Sequence, residues 1–428
     1  MTKSFLYFIC CVSAMGGLLF GYDWVVIGGA KPFYESFFGI AGNPVLQGVA
    51  MTTALVGCLI GAMVAGAMAD RFGRKPLLVL AAVLFTVSAV ATGLFNDFTL
   101  FNIARFVGGI GIGVASALSP MYIAEVSPSE VRGRMVSINQ MTIVLGILAA
   151  QITNMFIGKG VTDEWGGEWG WRWMFWAETL PAAAFLVMAF FIPESPVYLR
   201  LKREKASGGT KLDGSNGASL DQLFTSRYAK VLTLGLVVAV FQQWCGTNVI
   251  FNYAQEIFQG AGFDTDGMFI DIVITGIANV IFTIVALATV ERWGRRKLML
   301  LGSSGLAVIY LTLGTCYYLE VQGFFMVVLV VAAISCYAMT LGPVTWVLLS
   351  EIFPNKVRGI AMAVCTFALW TGCCTLTYSF PIMNAALGSY GSFWIYSAIC
   401  AVAFIYLTKA CPETKGKTFE ELESELTK

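Results

Sequence analysis

Long apolar runs separated by short polar breaks dominate the chain. They lie near 5–30, 47–69, 76–95, 98–124, 135–157, 171–192, 230–259, 267–290, 298–318, 323–349, 359–386 and 390–411. Each is about 20 residues or more, enough to cross roughly 30 Å of hydrocarbon as a helix. The first run is too long for the apolar core of a leader, and no small-residue cleavage site follows it, so it reads as a span. The pattern predicts an all-α membrane protein of twelve transmembrane helices.

The pattern also repeats. "DRFGRK" at 70–75 returns as "ERWGRRK" at 291–297, "AEVSPSEVRG" at 124–133 as "SEIFPNKVRG" at 350–359, and "PESP" at 193–196 as "PETK" at 412–415. Every offset is close to half the length. Two homologous six-helix bundles follow, 1–196 and 230–411, related as a parallel repeat about an axis along the membrane normal. Between them, 197–229 is polar, basic and rich in Gly and Ser, and reads as a cytoplasmic linker with one short surface helix. Residues 412–428 form a short cytoplasmic tail.

Composition agrees with the spans. The chain is 57% hydrophobic and 12% charged, against about 25% charged in soluble domains. Its 27 Lys and Arg lie at the termini and in the even-numbered loops, except Lys31, Arg105, Lys159 and Arg172. By the positive-inside rule both termini are cytoplasmic. The opposite loops carry acids, among them Glu35, Asp97, Glu168 and Glu320. The 11 cysteines lie mostly in spans with no C-x-x-C pair and read as packing residues. There is no histidine, which removes histidine-based catalysis and metal binding, and no nucleophile–base constellation points to an enzyme. No N-x-[ST] sequon occurs, which favours a bacterial inner membrane. No nucleic-acid partner is indicated, and a monomer is expected.

Two sets of charges stand out. The first lies at the cytoplasmic helix ends: Asp70, Arg71, Arg74, Glu125, Arg132 and Glu194, with Glu291, Arg295, Glu351, Arg358 and Glu413 in the second half. Topology alone requires the basic residues but not the recurring acids, so the acids argue for a cytoplasmic gate of ion pairs. Gly73 and Gly294 would permit the tight turns there. The second is Asp23, inside "GLLFGYDWVVIGGA". An ionised carboxylate at a helix centre costs about 2.5–3.5 kcal/mol on the insertion scale, so a partner or a function must offset it.

At these residues the chain resembles a known family. "GGLLFGYD", "DRFGRK", "RFVGGIGIG", "PMYIAEVSPSEVRGR", "PESP", "FQQWCGTN", "GPVTWVLLSEIFPNKVRG" and "PETKGKTFEEL" are similar, in order, to the sugar porters of the major facilitator superfamily. Within that family they look most like the bacterial proton–xylose symporters. The resemblance implies alternating access, a monosaccharide substrate held near the bilayer midplane, and no cofactor beyond a co-transported proton.

With the N-terminus inside, Asp23, Arg105 and Glu178 are each about seven residues from the outer ends of spans 1, 4 and 6, and therefore at similar depth. Intramembrane charges usually pair in the bundle interior. The Asp23–Arg105 pair is either a permanent brace or a proton switch. The resemblance favours the switch, because proton-coupled relatives keep an acid here and facilitative glucose carriers do not. A sugar site needs neutral amides and an aromatic platform. Gln242, Gln243 and Asn248 on span 7, Asn279 on span 8, Gln140 on span 5, Gly342 and Trp346 on span 10, Trp370 on span 11 and Phe20 as a lid are the candidates. Each amide could instead be helix–helix glue. Ile147, Leu369 and Asn252 stand where the xylose porters have a glutamine, a polar amide and a tyrosine. Gly17–Gly21, Gly57–Gly61 and Gly109–Gly113 read as close-packing sites, and Gly342-Pro343 as a hinge. A facilitative carrier, or a non-transporting sugar sensor, remains as an alternative; the short tail argues against the sensor.

Overall fold

The computed structural model describes residues 3–128, 131–159, 165–206, 223–263, 265–354, 357–417 and 421–422. Among them there are helices and no strand. The first helices follow the runs: α1 (Lys3–Phe37), α2 (Pro44–Phe72), α3 (Arg74–Leu94), α4 (Phe98–Val126) and α5 (Arg132–Gly158). Their starts have local causes. The Asn43 side chain accepts from the amides of Val45 and Leu46, with Pro44 in the first turn. Asp97 accepts from Leu100 N at 2.9 Å. Both occupy amide donors that the helix itself leaves unpaired.

Span 6 is α6 (Trp171–Ala177) and α7 (Thr179–Ala189), after a π-helical turn at Gly166–Gly170. A surface helix, α8 (Pro196–Ala206), opens the linker; 207–222 lie outside the described residues. Span 7 divides into α9 (Ser226–Trp244), α10 (Thr247–Asn252) and α11 (Ala254–Gly260). Then come α12 (Thr265–Trp293), α13 (Arg295–Tyr318), α14 (Phe324–Met339), α15 (Leu341–Ile352) and α16 (Arg358–Ala410). Ten helical stretches are long and apolar enough to cross a membrane. Two more spans complete the twelve. Span 6 is divided into pieces each too short to qualify, and α16 holds spans 11 and 12, which meet at Gly388 with φ 71°.

The described residues form two compact units. Unit 1 contains α1 to α8, Asn252–Gln255 and α12 as far as Val280. Unit 2 contains α9, α10 as far as Phe251, Glu256–Phe263 and the described residues from Ile281 onward. In unit 1, glycines set the closest helix contacts. A Cβ at Gly57, Gly61, Gly109 or Gly113 would run into backbone across the α2–α4 seam, and one at Gly21 or Gly146 into backbone across α1–α5. Small residues that let backbones meet are a usual device for packing helices in lipid.

Three expectations are corrected. Span 1 does not end near residue 30. Helix α1 continues to Phe37 and carries Lys31 and Glu35, both buried, as an i,i+4 pair 3.3 Å apart. Glu35 also accepts from Gln47 Nε2 at 3.0 Å, and the Lys31 ammonium lies 5.0 Å from the centroid of the Tyr253 ring. Two charges that satisfy each other let the helix pass through positions that read as loop, and Asp23 therefore lies well inside the helix. Second, span 7 breaks at Gly246, where φ is 89° and a Cβ would meet the Tyr396 ring at 2.8 Å. Third, the break in span 10 falls at Thr340 (φ −123°, ψ −89°), before Gly342-Pro343. Proline lacks only an amide hydrogen that a first helical turn does not use, so Pro343 sits in the first turn of α15.

Arg172, an exception to the basic-residue pattern, has a structural use. Its guanidinium donates to the Gly93 carbonyl and to Asn96 Oδ1, both at 2.7 Å, at the end of α3. A cation is favoured there by the exposed helix carbonyls.

Candidate functional site

In unit 1 the structure brings Asp23, Arg105 and Glu178 together. All three are buried, at 2–3% exposure. The Arg105 guanidinium pairs with Asp23 Oδ1 and reaches the Asp23 carbonyl at 3.5 Å. It lies 5.3 Å from the centroid of Phe175, a fully buried ring that offers its π face to the cation. Glu178 lies beside both partners. It stands at the joint of α6 and α7, where its amide bonds Phe175 O at 3.1 Å rather than the carbonyl one residue further back. That freed carbonyl, Met174 O, is reached by the Tyr22 hydroxyl at 3.5 Å. Two carboxyl groups therefore lie close to one guanidinium, which pairs with Asp23. Among the described residues, Asp23 Oδ2 and Arg105 Nε have no hydrogen-bond partner.

Other candidates in unit 1 lie on α1, α5 and α12. Phe20 is half-buried, with its ring edge-on to Trp24 at 5.7 Å. Gln140 is half-buried on α5, and Ile147 is buried about two turns along the same face of that helix. Asn279 is buried on α12. At i−4 and i−8 from it lie Thr275 and Asp271, both buried, so the three make a polar stripe along one face. The sequence reading missed Asp271, although an acid inside "FIDIVI" is the same kind of signal as Asp23.

In unit 2 the amides of span 7 form a continuous row. Asn248 Nδ2 donates to Gln243 Oε1, Gln243 Nε2 to Gln242 Oε1 at 2.5 Å, and Gln242 Nε2 to the Tyr337 hydroxyl at 2.8 Å. Tyr337, on α14, was not among the sequence candidates. Trp370 and Leu369 are buried on α16, whereas Trp346 on α15 is 37% exposed. Asn252, the last residue of α10 and part of unit 1, is buried.

The charged helix ends form matching clusters in the two units. Arg74 contacts Glu125 Oε1 from Nη2 at 2.9 Å and from Nε at 3.2 Å, and Asp70 from Nη1 at 3.2 Å. Glu194 accepts from the amides of Arg74 and Lys75 at 3.0 and 3.2 Å, and Ser195 bonds Glu125. In unit 2, Arg295 grips Glu351 from Nη2 at 2.8 Å and from Nε at 3.1 Å. Glu413 accepts from Arg295 N at 2.9 Å and Thr414 donates to Glu351 at 2.6 Å. Each cluster places a carboxylate on a helix N-terminus, α3 or α13, where the free amides favour an anion. Gly73 and Gly294, at φ 101° and 85°, leave room for those carboxylates.

Not every proposed gate residue takes part. Arg71 is exposed with its guanidinium over the Phe72 ring, and Arg132 makes no ion pair among the described residues. Glu125 is taken by Arg74 from a neighbouring helix, which leaves Arg132 without it. The side chain of Glu291 lies outside the described residues. Replacing Arg295 with Lys is expected to lose the two-pronged grip on Glu351 and about 1–2 kcal/mol. A lowered melting temperature in detergent checks it, and an unchanged one would refute it.

The chain is similar to known transporters along nearly its whole length. The family described as "Sugar (and other) transporter" matches residues 9–426. The D-xylose-proton symporter of Escherichia coli (strain K12) is 36% identical, over 99% of this chain and 96% of that protein. The arabinose-proton symporter of Bacillus subtilis (strain 168) is 35% identical, over 99% and 95%. The inward-open structure of the E. coli xylose transporter XylE superposes with TM-score 0.86 at 36% identity, over 98% of this chain and all of that one. A twelve-helix, multi-pass membrane fold, charged clusters at matching helix ends and full-length similarity give one conclusion: the chain belongs to the sugar-transporter family of the major facilitator superfamily, a family of carriers and not of enzymes.

Proposed function

We propose that this transporter is a proton-coupled symporter of a monosaccharide, pentose or hexose, working by alternating access in the cytoplasmic membrane. The observation that carries the reading is the buried trio. Asp23 Oδ2 has no hydrogen-bond partner among the described residues, so the carboxylate can take a proton there without first breaking a bond. Protonation removes its charge and loosens its hold on Arg105, which stays charged. Glu178, beside both, is the second acceptor through which the guanidinium can be held. The relatives named as proton symporters of xylose and arabinose support the same reading.

The amide row of Gln242, Gln243 and Asn248, with Gln140, Asn279, Gly342, Trp346, Trp370 and Phe20, is proposed as the sugar-recognition set. Amides both donate and accept, as sugar hydroxyls do. With apolar Ile147 and Leu369 where the xylose porters have amides, the preferred sugar has fewer hydroxyls, or a methyl, there, or the affinity is simply lower. Gln242→Ala is expected to weaken sugar binding about tenfold or more, as befits loss of a hydrogen-bonded pair in a tight site; full affinity in that variant places the sugar elsewhere. We further take the two halves to be 1–196 and 230–411, the Arg74 and Arg295 clusters to be cytoplasmic gate latches, both termini to be cytoplasmic and the working unit to be a monomer.

A competing reading is a facilitative carrier with a permanent Asp23–Arg105 brace, favoured by the closed pair seated on Phe175. Uptake of labelled D-xylose, L-arabinose and D-glucose into energised cells separates the two. Accumulation that collapses on adding a protonophore supports symport, and equilibration unaffected by it supports the carrier.

A further inference from the structure

We propose that Tyr337 is a sugar-binding residue, presenting its hydroxyl at the end of the Gln242–Gln243–Asn248 row. The proposal rests on the reading of that row as part of the sugar site. Tyrosine is unexpected in "AAISCYAMTLGP": a phenol buried without a partner in an apolar span loses about 1–3 kcal/mol. Here the hydroxyl accepts from Gln242 Nε2 at 2.8 Å.

The local backbone holds the ring at that place. Helix α14 ends two residues later, and the Thr340 amide closes the break by donating to the Tyr337 carbonyl at 3.1 Å. The chain then turns so that Gly342 lies against the Tyr337 ring. A Cβ at Gly342 would stand 3.2 Å from ring carbon Cε1 and 3.4 Å from the Tyr337 carbonyl oxygen. Glycine at 342 therefore leaves the ring its seat, a use distinct from the hinge expected of Gly342-Pro343.

A valence count shows what remains for a ligand. Gln242 and Gln243 each use their carboxamide oxygen and one N–H within the row, leaving one N–H apiece. The phenol offers one hydrogen and two acceptor positions, and the row occupies one of these three. No other hydrogen bond of the Tyr337 hydroxyl exists among the described residues. Gln242, Gln243 and Asn248 are buried and Tyr337 is half-buried, and the phenol is the end of the row, with hydrogen-bonding positions the row does not use. A hydroxyl that already accepts a bond is also a better donor. The geometry suits one sugar hydroxyl, contacted by Tyr337.

Tyr337→Phe tests this, since it removes one oxygen and leaves the ring against Gly342. The assay is uptake of labelled D-xylose, L-arabinose and D-glucose into proteoliposomes, continued with the best-transported of them and its single-deoxy analogues as competitors. For that sugar KM is expected to rise about tenfold while the maximal rate changes less than about twofold. One analogue, lacking the hydroxyl that Tyr337 contacts, should bind the variant and the parent equally. A uniform loss across all analogues, or an unchanged KM, overturns the proposal. Gln242→Ala in the same assay separates the failures. If it weakens binding while Tyr337→Phe does not, only the Tyr337 contact is wrong. If neither variant alters KM, or none of the three sugars is transported, the sugar-site reading fails with it.

Discussion

Asp23→Asn is expected to abolish uphill sugar accumulation while leaving counterflow exchange measurable. The amide has the shape of the acid, can still bond Arg105, and keeps the helix packing of α1. What it lacks is the change of charge. A permanently neutral residue mimics the protonated carrier, which can shuttle a bound sugar in both directions but cannot return proton-free. The loss in driving force is large. One charge crossing 100 mV is worth about 2.3 kcal/mol, equivalent to roughly a 50-fold sugar gradient at about 1.4 kcal/mol per tenfold. Accumulation ratio and counterflow, measured on the same preparation, check this. Undiminished accumulation would remove Asp23 from the coupling.

The second large effect is on stability. Arg105→Ala leaves buried Asp23 without its ion-pair partner and buried Glu178 without the cation beside it, and also vacates the face of Phe175. Removing one partner of a buried ion pair typically costs about 3–5 kcal/mol, because the remaining charge is uncompensated. A steep fall in melting temperature and in yield of monodisperse protein is the expected result. Asp23→Asn added to Arg105→Ala should recover part of the loss, since one stranded charge is gone. If Arg105→Ala is as stable as the parent, the cluster does not hold the bundle together.

The twelve spans were legible because lipid admits few ways to satisfy a backbone, and an apolar run of the right length leaves little choice. The duplication was legible because charged motifs at helix ends repeat residue by residue, and the structure answers with Arg74 and Arg295 in the same roles. The Asp23–Arg105–Glu178 association was foreseeable from cost alone: three charges at like depth in apolar runs have few other partners. What local pattern hid was backbone irregularity and self-neutralising charge. Lys31 and Glu35 read as loop residues, since charge usually marks a span's end, but an i,i+4 pair carries its own compensation. The break at Gly246 lies among the polar residues Gln242, Gln243, Thr247 and Asn248, which read as site residues within one continuous span. Gly342-Pro343 pointed to the right region but not to Thr340, because which residue leaves the helix is set by the Tyr337 carbonyl and the space beside its ring. Tyr337 itself went unread because a tyrosine in an apolar run is usually packing, and only the position of Gln242 gives its hydroxyl a use. At the helix ends, charge placement shows which side of the membrane a residue faces but not its reach, and Arg71 and Arg132 are the examples.

The most direct test of the account is proton movement itself. Proteoliposomes enclosing a pH-sensitive dye, with no membrane potential, are given an inward gradient of the transported sugar. The account predicts acidification of the lumen in step with sugar entry for the parent protein, and no sugar-driven acidification for Asp23→Asn, whose retained counterflow shows that it still binds and exchanges sugar. Sugar entry with no pH change in the parent, or an equal acidification in the variant, would contradict it.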